Sequence, residues 1–168
     1  MGRCLPAGRR VFTRKEYRDI LIESLKYCQK EKGLLLHGWC IMSNHVHLVA
    51  SARNENLSDI LRDFKKFTSK QIISAIGKNE HESRKEWMLA IFEAQAKKNS
   101  HNVHYQFWRQ ENKPKELYSP AFTVQKLNNI HNNPVEAGLV EKPEEYLYSS
   151  ARDYVNVGNR GLLSILKI

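Results

Sequence analysis

The stretch from Trp39 to Val49 constrains the fold of this chain more than any other. It reads WCIMSNHVHLV, two apolar runs that meet at the polar pair Ser43-Asn44. Apolar runs of this length on both sides of a turn predict a β-hairpin, with strands over Leu34–Met42 and His45–Ser51. A hairpin fixes the direction of every side chain on it, so the chemistry of the second strand can be assigned to faces.

Two histidines open that second strand. Because successive side chains of a strand point to opposite faces, His45 and His47 share one face while Val46 and Leu48 share the other. Two imidazoles held side by side on a rigid ladder can bind a divalent metal. With seven histidines in 168 residues, about 0.3 such pairs arise by chance, so a structural or exposed pair remains the alternative.

The composition favours a nucleic acid partner. The net charge of +9 and the pI of about 9.5 suit phosphate binding, although a basic protein without such a partner remains possible. The 168 residues predict a single domain, with residues 1–10 as a loop or frayed arm. No apolar run is long enough to span a membrane and no signal-peptide pattern is present, so we expect a cytoplasmic protein with no membrane partner.

Helical patterns surround the hairpin. Thr13 and Glu16 form a capping-box pattern before an amphipathic helix that Gly33 ends. A second amphipathic helix is predicted over residues 58–76 and carries an outward basic stripe. That stripe is a candidate DNA-binding surface, with a solvated charged face as an equal alternative. It consists of Arg62, Lys65, Lys66 and Lys70.

The downstream half adds a strand and a third clear helix. Tyr105–Arg109 alternates and predicts a strand. Ser119 with Pro120 predicts a helix start, and Pro134 predicts its end at Asn133. Residues 162–168 are apolar enough for a final strand or a docked tail. Together the patterns predict an α+β fold with an antiparallel sheet.

The end of that helix is rich in asparagine. Asn129 and Asn133 are four residues apart and therefore share a helix face. If that face looks at the hairpin, Asn133 can offer an amide oxygen to a metal while Asn129 faces the substrate. The alternative is that these asparagines only cap the helix before Pro134.

Two motifs in order carry a resemblance to a known family. MSNHVHL at residues 42–48 is followed by IHNNPVEAGLV at residues 130–140. Together they resemble the HUH single-tyrosine transposases (the IS200-like transposase domain), and most closely the REP-associated tyrosine transposase branch. The similarity extends from about Val11 to Tyr154.

The resemblance implies a fold, a metal and a reaction. It implies a ferredoxin-like antiparallel sheet with packed helices, and Mg²⁺ or Mn²⁺ held by His45, His47 and Asn133. In this family a tyrosine attacks a DNA phosphate to give a 5′-phosphotyrosine. The expected partner is single-stranded or hairpin DNA, and the protein is expected to be a monomer or a homodimer.

Two departures from the family pattern bear on activity. Asn129 occupies the position of the tyrosine, and an amide cannot replace a phenol as nucleophile. Tyr118 and Tyr105 are the conceivable substitutes. The family's first strand also has no counterpart in the sequence pattern before Val11. We therefore expect a DNA-binding transposase relative with cleavage weakened or lost. An active enzyme using another tyrosine and a non-catalytic hairpin-binding regulator remain alternatives.

Overall fold

An antiparallel sheet in the order β1-β3-β2 forms the centre of the fold. The computed structural model describes residues 2–3 (backbone only), 10–54, 56–98, 104–109, 116–155 and 161–168. Its elements are β1 (Gly2–Arg3), α1 (Lys15–Glu31), β2 (Leu34–Ile41), β3 (His45–Ala52), α2 (Leu57–Lys78), α3 (Lys85–Ala96), α4 (Pro120–Glu136), a 3-10 turn (Pro143–Glu145) and α5 (Ala151–Val155). The predicted α+β class is confirmed.

The predicted hairpin is present with the expected register. Cys40 of β2 lies opposite His47 of β3, and Ile41 lies opposite Val46. The Met42 backbone N–H donates to the His45 carbonyl over 2.8 Å and closes the turn. The two histidines therefore begin the return strand directly after the turn, where the ladder holds their backbone on one side.

The N-terminal residues contribute a strand that the sequence pattern does not reveal. Gly2 pairs with Val46 and Arg3 pairs with His45, so the prediction of an unpaired arm over residues 1–10 is wrong at these two positions. Residues 1 and 4–9 lie outside the described part of the chain. Two residues are too few to show an alternating pattern. Their pairing supports the histidine strand β3 on its second side. A short strand is therefore present where the sequence pattern predicts none.

The other edge of the sheet is covered by downstream backbone. Ile41 N–H donates to the Tyr148 carbonyl over 2.9 Å, and Ser150 N–H donates to the Trp39 carbonyl over 3.0 Å. Further along β2, Leu166 N–H donates to the Leu36 carbonyl over 2.9 Å. The C-terminal segment is thus a docked tail, and it satisfies edge groups that would otherwise be open to pairing.

One face of the sheet carries the main core. Val46, Leu48 and Ala50 of β3 point into an apolar cluster that α1, α2 and α3 complete. The helices contribute buried stripes at helical spacing, as their sequence patterns predict. These stripes are Tyr17, Leu21, Leu25 and Cys28 from α1, Ile60, Phe64, Ile72 and Ile76 from α2, and Met88 and Phe92 from α3.

The opposite face carries a much smaller apolar cluster. Cys40, Met42 and Val49 of the hairpin pack there against Ile130 of α4. His45 and His47 alternate with the core residues of β3 and therefore share this second face. The sheet thus separates a thick core from a thin one, and the histidines are on the thin side.

Several local predictions need correction. Helix α1 begins at Lys15 with Arg14 as its N-cap, and the expected Thr13 capping box is not formed. The Arg14 side chain instead forms an ion pair with the buried Glu82. Gly77 lies inside α2, which ends at Lys78. The start of α1 thus coincides with a tertiary contact, whereas α2 ends with local backbone bonds from the Asn79 N–H to the Ala75 and Ile76 carbonyls.

The predicted strand at Tyr105–Arg109 does not join the described sheet. Only Trp108 forms an isolated bridge, and Gln106 N–H donates to the Phe92 carbonyl of α3 over 2.9 Å. Trp108 Nε1 donates to Thr68 Oγ1 over 3.0 Å. The aromatic residues of this segment pack between helices, which explains why an apolar alternation appears without a ladder.

Pro134 does not end α4, contrary to prediction. Proline removes the N–H that would bind the Ile130 carbonyl. The Asn133 side-chain amide approaches that carbonyl at 3.5 Å, and the helix continues to Glu136. Gly138 then ends the helix with a φ of 66°, a left-handed conformation that glycine adopts readily.

Among the helices of the described residues, none combines the length and the apolar character that a membrane span requires.

Candidate metal and nucleic-acid site

The two histidines of β3 converge on each other. His45 Nε2 and His47 Nε2 are 2.7 Å apart, and the ring planes are nearly perpendicular at 88°. At this distance the two nitrogens share one proton. His47 is buried and His45 is half-buried, so the pair faces a confined space beside α4.

The turn orients the first imidazole. His45 Nδ1 lies 2.6 Å from Asn44 Oδ1, and since a carboxamide oxygen only accepts, Nδ1 carries the proton. That tautomer leaves the Nε2 lone pair directed towards His47. A ligating histidine is commonly fixed in this way by a hydrogen bond to its other ring nitrogen.

The donor set fits a divalent ion. Two nitrogens bound side by side to an octahedral ion at about 2.1 Å stand about 3 Å apart, so a small opening of the pair and loss of the shared proton suffice. Among the described residues, no cluster of three or more His, Cys, Asp or Glu side chains suits a metal.

Cys40 lies opposite His47 but does not act as a ligand in this form. Burial raises the pKa of its thiol to about 12, so the sulfur is protonated near neutral pH. Its Sγ contacts Met42 Sδ at 3.6 Å. The two sulfur side chains form an apolar floor beside the histidines, and Cys40 is a free, buried cysteine.

Three contacts fix the position of α4 on this face. Leu127 packs on Gly38, where any β-carbon would overlap its side chain. Ile130 packs on the cluster beneath it. His131 Nε2 lies 2.8 Å from Ser150 Oγ beyond the outer edge of β2. Burial lowers the pKa of His131 to about 4, so the ring is neutral in this contact.

These contacts decide which flank of α4 carries Asn129 and Asn133. Each asparagine is two residues from His131, so it lies about 160° around the helix from it. Since His131 faces the outer edge of β2, we infer that the asparagines face away from that edge, towards the β3 side of α4.

The two asparagines differ in burial and in bonding. Asn133 is half-buried, and its Nδ2 donates to the Asn129 carbonyl over 2.7 Å. That bond uses the donor end of the carboxamide and leaves Oδ1 directed away from the helix backbone. Asn129 is exposed. A half-buried amide oxygen suits a ligand position, whereas an exposed amide suits a position facing a substrate.

The substitute tyrosines lie in different places. Tyr118 is 79% exposed, and its neighbour Leu117 packs on the small cluster of the histidine face. Tyr105 instead packs against the main core on the far side of the sheet. Tyr146 touches the small cluster, but its hydroxyl donates to the Ile41 carbonyl over 2.9 Å. Of the three, only Tyr118 is exposed, and its neighbour is the residue that contacts the small cluster.

The basic stripe of α2 lies on the face away from the histidines. Arg62 pairs there with Asp59 at 2.5 Å, and Lys65 donates to the Arg109 carbonyl over 3.0 Å. Lys66 and Lys70 are exposed. Asn129 and Asn133 thus belong to the helix that packs on the histidine face, whereas the α2 stripe lies on a helix of the opposite face.

Sequence reasoning missed two residues of the α4 flank that carries Asn129 and Asn133. Phe122 and Lys126 fall on the same flank at helical spacing. The Lys126 Nζ lies 4.9 Å from the centre of the Phe122 ring. Counting back from Asn129 by three and by seven residues, the spacing of one helix flank, would have identified both.

Comparison with known proteins agrees with this architecture. A family described as "Transposase IS200 like" matches residues 4–107, which include the histidine pair but end before α4. A solved structure of a REP-associated tyrosine transposase bound to a REP hairpin superposes with a TM-score of 0.63 at 13% identity. The alignment covers 96% of this chain and 79% of that one. No curated protein matches the chain.

Proposed function

Because the chain belongs to the IS200-like transposase family, we propose that it binds hairpin or single-stranded DNA and holds Mg²⁺ or Mn²⁺ with His45 and His47. The observation that carries this proposal is the convergence of the two Nε2 atoms at 2.7 Å on the face that α4 covers. A metal site that functions and one that has lost its function can carry the same two histidines in sequence. The short distance between the two rings is therefore support that the sequence motif alone does not provide.

The chain's own residues divide the work of such a site. His45 and His47 would supply two nitrogens and Asn133 Oδ1 an oxygen, while Asn44 holds the His45 tautomer. Water and a DNA phosphate would supply the further oxygen ligands that Mg²⁺ or Mn²⁺ prefers. A bound ion of this kind acts as a Lewis acid on a phosphoryl oxygen. Met42 and Cys40 exclude water from one side of the pair.

We further propose that strand cleavage is weak or absent. The position of the family's tyrosine is Asn129, whose amide is not a nucleophile. A second candidate, an active transposase using Tyr118, is favoured by one observation. Leu117 anchors that tyrosine on the histidine side of the sheet.

DNA binding is supported by charge and by the fold neighbour. The net charge is +9, and the superposed transposase is bound to a hairpin. The α2 stripe remains a candidate for contacts to the outer arm of a hairpin. Within it, Arg62, Lys66 and Lys70 are exposed, and Arg62 and Lys65 have partners on the protein.

Metal binding at the pair is tested by titrating Mn²⁺ and following the loss of the free-ion EPR signal. His47→Ala should lower the affinity by at least about tenfold. The matched control is His37→Ala, a histidine that binds the Leu166 carbonyl at 2.9 Å and Ser51 Oγ at 2.8 Å. Equal affinity of all three proteins would contradict the site. It would favour a regulator with structural histidines, whose hairpin binding is insensitive to chelator.

A further inference from the structure

Two aromatic rings and a lysine form a continuous stack at the start of α4. The Tyr118 and Phe122 rings are nearly parallel, at 14° and 4.7 Å between centres. Lys126 Nζ lies over the Phe122 ring, 4.9 Å from its centre. These residues are spaced by four, so they form one row that Asn129 and Asn133 extend along the same flank.

Hydrogen bonds fix the backbone at the start of the row, where Tyr118 is exposed and Phe122 is half-buried. Ser119 Oγ accepts from the Phe122 N–H over 3.2 Å, and Thr123 Oγ1 donates to the Ser119 carbonyl over 2.9 Å. Leu117 fixes the preceding backbone against the small cluster. Tyr118 is nonetheless 79% exposed, so most of this large aromatic side chain contacts solvent. An ordered but uncovered aromatic side chain is available to another flat ligand.

We propose that Tyr118 and Phe122 form a stacking platform for the bases of single-stranded DNA, with Lys126 contacting the adjacent phosphate. Aromatic side chains beside a cation bind single strands without sequence preference, because every base has a π face. The inference rests on the proposed function, since it treats the stacked strand as the DNA that reaches the histidine pair.

The platform also sets a direction for the strand. From Phe122 to Asn133 the helix rises about 16 Å along the flank that faces β3. A strand stacked at Tyr118 would follow Lys126 and Asn129 towards the metal site. Tyr118 then holds a base beside the row, which differs from a role as the attacking nucleophile. The ring alone serves the first role, and the hydroxyl is needed for the second.

The test compares variants that separate the ring from its hydroxyl. The probes are a fluorescein-labelled thymidine single strand and a blunt-ended hairpin, measured by anisotropy in EDTA so that metal does not contribute. A third probe is a single strand carrying 2-aminopurine, whose quenching reports stacking. The variants are Tyr118→Ala, Tyr118→Phe and Lys126→Gln. The matched control is Tyr27→Ala on α1, where the tyrosine is 58% exposed.

The platform predicts a specific pattern. Tyr118→Ala should weaken single-strand binding by roughly tenfold and abolish 2-aminopurine quenching, while Tyr118→Phe and Tyr27→Ala stay within about twofold of the unmodified chain. Lys126→Gln should reduce the slope of log affinity against log salt by about 0.7. Blunt-hairpin binding should be unchanged by Tyr118→Ala.

Other patterns would overturn the inference. If the unmodified chain binds DNA and Tyr118→Ala binds the single strand equally well, the platform is wrong while the proposed function stands. A loss on Tyr118→Phe as large as that on Tyr118→Ala would assign the effect to the hydroxyl and contradict stacking. If the unmodified chain binds neither DNA, the proposed function and the platform both fail.

Discussion

The two faces of the sheet differ in what covers them. On one face, three helices bury β3 in the main apolar cluster. On the other, α4 together with Leu117 and Tyr146 packs on a small cluster beside the histidines. Because side chains alternate along a strand, one strand can contribute residues to the apolar core on one face and polar residues to the other face. Val46 and its alternate neighbours stabilise the fold, which leaves His45 and His47 available for chemistry. We expect stability and metal binding to respond to different substitutions.

The largest effect on stability is expected at Glu82, on the thick side. Its carboxylate is buried and binds Arg14 at 2.7 Å and Arg84 at 2.8 Å, and Tyr17 donates to it over 3.2 Å. Glu82→Gln should lower the free energy of unfolding by about 3 to 4 kcal/mol, because it leaves two arginines without a countercharge. Urea denaturation measures this change.

The comparison of faces depends on the controls for Glu82. Glu80→Gln, at an exposed position two residues away, should change the unfolding free energy by less than about 0.5 kcal/mol. The Mn²⁺ affinity of folded Glu82→Gln should equal that of the unmodified chain. A drop in Mn²⁺ affinity would show that the two faces are coupled, against our account.

The same carboxylate predicts a pH dependence. Hydrogen bonds from the Arg84 side chain, with smaller contributions from its backbone and from Arg14, lower the pKa of Glu82 from 4.5 to about 2. A depressed pKa stabilises the fold fully above pH 4.5, and this stabilisation is lost as the pH falls towards 2. The shift corresponds to about 3 kcal/mol. The difference in unfolding free energy between the unmodified chain and Glu82→Gln should shrink over this window, and a constant difference would refute it.

A smaller effect is expected at Gly38, on the thin side. An added β-carbon would overlap Leu127 Cδ1, so Gly38→Ala should push α4 away from β2 and cost about 1 to 3 kcal/mol. Because Asn133 moves with α4, the Mn²⁺ affinity should fall as well. Gly77→Ala is the control, since nothing lies within 4 Å of its β-carbon position and α2 should gain up to about 1 kcal/mol. Unchanged Mn²⁺ affinity in Gly38→Ala would remove Asn133 from the site.

The sequence predicted the elements whose periodicity is regular. The hairpin, the apolar stripes of α1 and α2, and the start of α4 at Ser119 all follow from local pattern and are confirmed. The histidine face also follows, because a strand's period assigns it without tertiary information.

What the sequence missed depends on contacts between distant residues. In the sequence, Glu82 cannot be distinguished from the many surface charges. Its burial depends on a contact with Arg14, 68 positions away. The Tyr105–Arg109 segment has the alternation of a strand, yet helices rather than strands surround it. Pro134 has the local signature of a helix end, and only the Asn133 side chain explains why α4 continues.

The central claim is that the metal half of a strand-cleaving centre is kept while its nucleophile is missing. The direct test incubates the unmodified chain and Asn129→Tyr with a single-stranded hairpin and Mn²⁺, and measures covalent protein–DNA adduct after denaturation. Our account predicts little or no adduct from the unmodified chain and a clear adduct from Asn129→Tyr that EDTA or His45→Ala abolishes. An adduct from the unmodified chain as strong as that from Asn129→Tyr would contradict it.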